Sequence, residues 1–194
     1  MSQIPFRCQV RLTLSDLDRS IYTQRTVVVA QYPDEPDEHI LLRFLTHVLF
    51  YDERLQDAQG WIDGHEPDLW ATDLTGRLTL WVEAGLPPMK RLIKAMTHQK
   101  GARFVALFGD RAEAEAFRTA IVAERPRNID QLEIHVVPAP FLAFLEQVGG
   151  RNMAWTATLT EGTLYLESDG HAGQCVLEQI AVLQHGGDQS SSRR

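Results

Sequence analysis

Glu66-Pro67-Asp68-Leu69-Trp70, a turn at Thr75-Gly76, and then Leu80-Trp81-Val82-Glu83-Ala84-Gly85 read as a hairpin carrying two carboxylates. With the turn centred between Thr75 and Gly76, Asp68 falls opposite Glu83, Trp70 opposite Trp81 and Thr72 opposite Thr79, all on one face by alternation. The other face carries Leu69 with Val82 and Ala71 with Leu80, a core surface, with Asp73 opposite Leu78 near the turn. Like charges set directly opposite each other destabilise a strand pair, so something must neutralise them. A divalent cation held by oxygen ligands would do so. A slipped register, or an Arg partner from elsewhere, are the alternatives.

Outward from this hairpin the chain alternates strands and helices. Residues 7–14 and 20–31 form an N-terminal hairpin joined through Ser15-Asp16-Leu17-Asp18, and Pro33 to Pro36 ends its second strand. Asp37-Glu38 then opens a helix, expected to run to about residue 55, with Ile40, Leu41, Phe44, Leu45, Val48 and Leu49 at helical spacing. Pro87-Pro88 begins a second helix with Met89, Leu92, Ile93 and Met96 on its buried side. The apolar run 104–108 is a central strand buried on both faces, ended by Gly109-Asp110. A helix over 111–124, a strand over 132–137, a helix over 138–148 and a C-terminal hairpin of 155–159 with 163–167 complete a mixed α/β reading.

The chain has 194 residues, 44% of them hydrophobic, enough to bury one core, so residues 1–183 are expected to form a single domain. Residues 184–194, which lack an apolar anchor, are expected to be a flexible tail. No apolar run is long enough to span a membrane, and the N-terminus has no basic region followed by an apolar one, so the expectation is a soluble, cytoplasmic protein. Cys8 and Cys175 show no zinc or disulfide spacing. A net charge of −7 argues against a broad basic surface for nucleic acid, though not against a local one.

Lys90, Arg91 and Lys94 crowd the start of the second helix, against the helix dipole and close to the hairpin end bearing Asp68 and Glu83. They read either as a solvated face with one ion pair to Glu83, or as a source of the ammonium that stabilises a phosphate transition state beside a metal. Glu38 complements the dipole of the first helix, or serves as a further metal ligand. His39, Arg43 and His47 form an i, i+4, i+8 polar stripe, expected to be solvated, from which Arg43 could touch phosphate. Trp70 and Trp81 are expected to be buried against the first helix, with base stacking as the alternative. Ser15-Asp16 and Ser168-Asp169-Gly170-His171 lack a G-x-S-x-G elbow and read as turns. There is no phosphate-binding glycine loop of the P-loop or dinucleotide type.

Taken together, Asp16-Leu17-Asp18-Arg19, Asp37-Glu38 with Arg43, Glu66 to Trp70, Asp73 to Gly76, and Trp81 to Gly85 continuing through Pro87 to Arg91, Lys94 and Ala95 resemble the bacterial YaeQ family. That family is similar to the restriction-endonuclease-like fold, a mixed central sheet flanked by helices, here with an extra N-terminal and an extra C-terminal hairpin. The nuclease signature is Pro-Asp, a spaced Asp or Glu, one residue, then Lys. Pro67-Asp68 and Glu83 match it; Gly85 stands where the Lys belongs, and Lys94 could supply that charge from the following helix. The resemblance implies Mg²⁺- or Mn²⁺-dependent phosphodiester hydrolysis on DNA or RNA. Asp68 and Glu83 would be metal ligands, Glu38 would assist, and Lys94 would act on charge or water with Arg91 and Arg43 in support. A non-catalytic interaction or regulatory protein that keeps the fold and part of the site is the competing expectation, and a phosphoesterase for small substrates a third.

Overall fold

The computed structural model describes residues 6–58 and 66–183, so the tail expected at 184–194 lies outside the described residues. In chain order the elements are β1 (Phe6–Asp16), β2 (Ile21–Gln31), α1 (Asp37–Leu49), β3 (Gln56–Asp57), β4 (Leu69–Thr72), β5 (Leu78–Ala84), α2 (Met89–His98), β6 (Arg103–Phe108), α3 (Arg111–Ala123), β7 (Leu132–Val136), α4 (Ala139–Gln147), β8 (Asn152–Thr160), β9 (Thr163–Ser168), β10 (His171–Val176) and β11 (Glu178–Ile180).

The two expected terminal hairpins are not separate appendages. β1 runs parallel to β8, which joins them into a five-stranded sheet of order β10-β9-β8-β1-β2. Its inner face packs Val10, Leu12, Leu14, Val27, Val29, Trp155 and Leu166 against α1 and α4. The second sheet has the order β11-β7-β6-β5-β4-β3; β5, β6 and β7 are mutually parallel, and the pairs β3–β4, β4–β5 and β7–β11 are antiparallel. One of its faces meets α1 through Leu69, Ala71, Leu80, Val82 and Phe50, and the other packs Trp81, Phe104, Ala106 and Phe108 against α2 and α3. Both faces of β6 are therefore dry, as its continuous apolar run predicts.

The helix α1 lies between the two sheets, which buries every residue from Ile40 to Val48. This corrects the reading of His39, Arg43 and His47 as a solvated stripe: Arg43 and His47 are buried and His39 is half-buried. α1 also stops at Leu49, short of residue 55. Phe50 leaves the helix to fill the cluster under β4 and β5, and Asp52 Oδ1 turns the chain by accepting the Arg54 N–H at 2.8 Å. Trp81 packs against Phe104 on the α2 side of its sheet and not against α1, with ring centroids 6.0 Å apart.

Candidate functional site

The hairpin pairs Leu69 with Val82, Trp70 with Trp81 and Ala71 with Leu80, in the predicted register. A register shift follows Ala71, so Thr72 faces Leu78 and not Thr79, and Asp73 has no strand partner. Asp73 instead builds the turn, its Oδ1 accepting the Thr75 and Arg77 N–H groups at 2.8 and 3.0 Å. β4 begins at Leu69, so Asp68 stands just outside the ladder, where alternation no longer dictates its direction. Its Oδ2 accepts the Ala84 N–H at 2.8 Å, and two α1 side chains approach it: Arg43 Nε lies 3.6 Å from Oδ1 and His39 Nε2 3.8 Å from Oδ2.

Glu83 shares the α2 face of β5 with Trp81 and is 2% exposed. Arg91 Nη2 donates to both of its oxygens, at 2.8 and 2.7 Å, and Trp81 Nε1 donates to Oε1 at 2.8 Å. Burial, reinforced by the Asp68 charge, raises its carboxyl to about 7, against the opposing pull of Arg91 and Trp81. The two carboxylates do repel as the sequence predicts, and what neutralises them is arginine. Lys94, by contrast, is exposed and makes no ion pair with either carboxylate; the cation of α2 that reaches Glu83 is Arg91, one turn earlier.

Gly85 stands two residues after Glu83, where the signature lysine would fall, and its backbone disfavours any side chain there. Its φ of +73° lies in the left-handed region, and a β-carbon there would sit 3.4 Å from His39 Cδ2. The His39 ring therefore packs over the position from which such a side chain would spring.

Glu38 is not brought to Asp68 and Glu83. Its carboxylate lies over Gly109, where a β-carbon would collide with Oε1, and burial followed by the charges of Glu146, Glu113 and Asp110 raises its carboxyl. The acidic residue that does join the site is Glu35, 4% exposed, which the sequence reading missed. Its Oε1 meets His39 Nδ1 at 2.6 Å and Arg43 Nη1 at 3.1 Å, and its Oε2 accepts the Tyr32 N–H at 3.1 Å. Burial would raise this carboxyl, yet the hydrogen bond to His39 and the Arg43 charge hold it below its ordinary value. The available signal was the i+4 ladder Glu35, His39, Arg43, His47, whose last member meets Asp57 at 2.7 Å. Arg43 Nη1 also donates to the Ala30 carbonyl of β2 at 3.3 Å.

As arranged, these residues do not fit a divalent cation. Among the described residues no group of three or more His, Cys, Asp and Glu side chains is placed to hold one. The buried polar atoms left without a hydrogen-bond partner beside the carboxylates are donors, Arg43 Nε and Arg91 Nε, and not oxygen ligands. The serine clusters give no triad either. Asp16 is buried under Arg19, which it meets at 2.5 Å, while Ser168 is buried and His171 exposed. A cleft of about 680 Å³ lies to one side of the pair; it is lined by Cys8, Tyr32, Ile40, Glu146 and Arg151, and reaches the site through Glu35.

The sequence pattern described as YaeQ protein matches residues 1–177. The uncharacterised protein YaeQ of Salmonella typhi is 30% identical over 155 residues, covering 80% of this chain and 84% of its own length. The Escherichia coli K12 protein of the same name is 29% identical over 158 residues, covering 81% and 86%. The crystal structure of YaeQ protein from Xanthomonas axonopodis pv. citri superposes with a TM-score of 0.77 at 26% identity, covering 90% of this chain and 97% of that one. That of YaeQ protein from Pseudomonas syringae gives 0.78 at 25% identity, covering 91% and 96%. The extent of these matches, along the sequence and across both sheets, makes the chain a member of the YaeQ family.

Proposed function

We propose that this chain is a non-catalytic interaction protein built on a restriction-endonuclease-like core, in which the nuclease-type carboxylates act as structural charges. The mixed sheet flanked by α1 on one face and by α2 and α3 on the other supports that core. The observation that carries the non-catalytic reading is the Arg91 guanidinium on both oxygens of a Glu83 that is 2% exposed. An arginine in that place is a permanent counter-charge, since a guanidinium does not give up its proton at any relevant pH. The partner is DNA or RNA, met by the exposed Lys90 and Lys94 beside it on α2. With a net charge of −7 over the whole chain opposing such contact, binding is confined to this local face and is strongly salt-dependent.

The test is fluorescence anisotropy with labelled duplex DNA and structured RNA in the presence of Mg²⁺, followed by electrophoresis of the same samples. Binding without cleavage, weakened when Lys90 and Lys94 are both changed to Glu, is expected. Cleavage that disappears in Asp68→Ala and Glu83→Gln proteins would overturn the reading in favour of a metal-dependent nuclease. That second reading draws on one observation, the electrostatic coupling of Asp68 and Glu83 at neighbouring strand ends. Calorimetry with Mn²⁺ separates the two directly: the interaction reading expects no cation binding that Asp68→Ala abolishes.

A further inference from the structure

The inner face of the first sheet is not covered along its whole length. Alternation puts Phe6, Cys8, Val10, Leu12 and Leu14 of β1 on the side that faces α1 and α4, and the last four are 1–2% exposed. Phe6, in the same row, is 47% exposed. The core therefore opens at this end into the cleft of about 680 Å³, a size typical of small-ligand sites, with Cys8, Ile40 and Leu41 as its apolar floor. Its side walls carry opposite charge. Arg151 precedes β8, on one side of β1, and among the described residues its guanidinium meets the Phe6 ring, 4.3 Å from its carbon to the ring centre, and no carboxylate. Asp37 follows β2, on the other side of β1; Gln31 Nε2 donates to its Oδ1 at 2.7 Å, and no cation among the described residues pairs with it. Glu146 of α4 adds a second open carboxylate to the lining, whereas that of Glu35 is already engaged by His39 and Arg43. The Cys8 thiol on the floor feels both walls: burial raises it, Arg151 pulls it down, and Asp37 and Glu35 push it up.

We infer that this cleft binds a short zwitterionic peptide, its C-terminal carboxylate on Arg151, its N-terminal ammonium on Asp37 and Glu146, and its apolar side chains on Phe6, Ile40 and Leu41. A guanidinium stacked on an aromatic ring keeps its planar fork free for the two oxygens of a carboxylate. An ammonium, with three donors and no acceptor, suits the open carboxylates of the opposite wall. An anion alone would be repelled by Asp37 and Glu146 and a cation alone by Arg151, so the lining selects a ligand that carries both charges. The backbones of the two walls stand two strand spacings apart, about 10 Å. The side chains of both walls take up part of that distance, and an extended peptide covers the rest with two residues of about 3.3–3.6 Å each. The apolar floor sets the character of the side chains, and a single amino acid is too short to meet both walls.

Isothermal titration calorimetry of the full chain with the dipeptide Leu-Leu tests this. Binding is expected, and blocking either end, as N-acetyl-Leu-Leu or as Leu-Leu amide, weakens it by about fivefold or more, because each block removes one charge-assisted contact. Free leucine binds more weakly than Leu-Leu. Arg151→Gln weakens Leu-Leu but leaves the affinity of Leu-Leu amide unchanged, and Asp37→Asn weakens Leu-Leu more than it weakens the acetylated form. Both side chains are exposed, so neither change disturbs the core, and the pairing of each variant with one end of the ligand is a readout that a general loss of structure does not mimic. No binding of Leu-Leu at millimolar concentration, blocked ends that bind as tightly as free ones, leucine that binds as tightly as Leu-Leu, or an Arg151→Gln protein that loses the amide as much as the free dipeptide would each overturn the proposal.

Discussion

Glu83 is the residue whose surroundings make the sharpest demand on pH. Its folded value of about 7 lies above that of an unfolded glutamate, so at mildly acidic pH the folded chain keeps a proton that the unfolded chain has lost. That contribution to stability is full below about pH 4.3 and disappears as pH rises through the folded value, and it is of the order of a few kcal/mol. In urea denaturation followed from mildly acidic to neutral pH, the midpoint of the native protein is expected to fall more steeply than that of Glu83→Gln. Arg91 is the counterpart. Arg91→Ala leaves a buried carboxylate facing Asp68, and at slightly alkaline pH is expected to lose about 2–3 kcal/mol, less than a fully enclosed pair because the Arg91 side chain is 17% exposed. A loss under half a kcal/mol in chemical denaturation would show that water already screens Glu83.

At the scale of elements, the strand and helix order was readable because periodicity is a local property. Leu69, Ala71, Leu80 and Val82 alternate, and Leu92 and Met96 recur, whatever surrounds them. What was illegible depended on a neighbour far along the chain. The solvated stripe on α1 became a buried ion-pair ladder because a second sheet, made by joining the two terminal hairpins, closed over it. The strand β10 escaped notice because His171-Ala172-Gly173-Gln174 has no apolar alternation; it belongs to the sheet through its pairing with β9 and the packing of Gly173 on Phe144 of α4. Of the candidate site, Asp68, Glu83 and Arg91 were legible from register and helix position, whereas the loss of Glu38 and the entry of Glu35 turned on where α1 sits. Two glycines allow tests. Gly173→Ala would drive a β-carbon to 2.5 Å from Phe144 Cδ1, and about 1–3 kcal/mol of destabilisation is expected in thermal melts. Gly85→Lys, which restores the signature lysine, is expected to cost about 1–2 kcal/mol from its left-handed backbone and to confer no cleavage.

At the scale of the molecule, two sheets share one central helix. Amide exchange is therefore expected to be slowest in α1 between Ile40 and Val48 and in β6, and faster in α2 and α3, which lie on the outside of the second sheet. Fast exchange in α1 beside slow exchange in α3 would contradict this layering. No helix among the described residues is long and apolar enough to cross a membrane.

Arg43 binds the β2 backbone at Ala30, the Glu35 carboxylate and the neighbourhood of Asp68 at once, so a single guanidinium is anchored in both sheets. The apolar cluster around α1 already takes in Ala84 and Leu107 of the second sheet along with the first sheet's inner face, so the sheets share core packing. Parting them would also separate Arg43 from Asp68, leaving a half-buried carboxylate short of a counter-charge. Arg43 thus adds a polar tie to the apolar packing that already couples the two sheets. Trp155 in the first sheet and Trp81 in the second, each followed by fluorescence with the other tryptophans replaced by Phe, are expected to report one coincident transition, which Arg43→Met moves to lower denaturant without splitting.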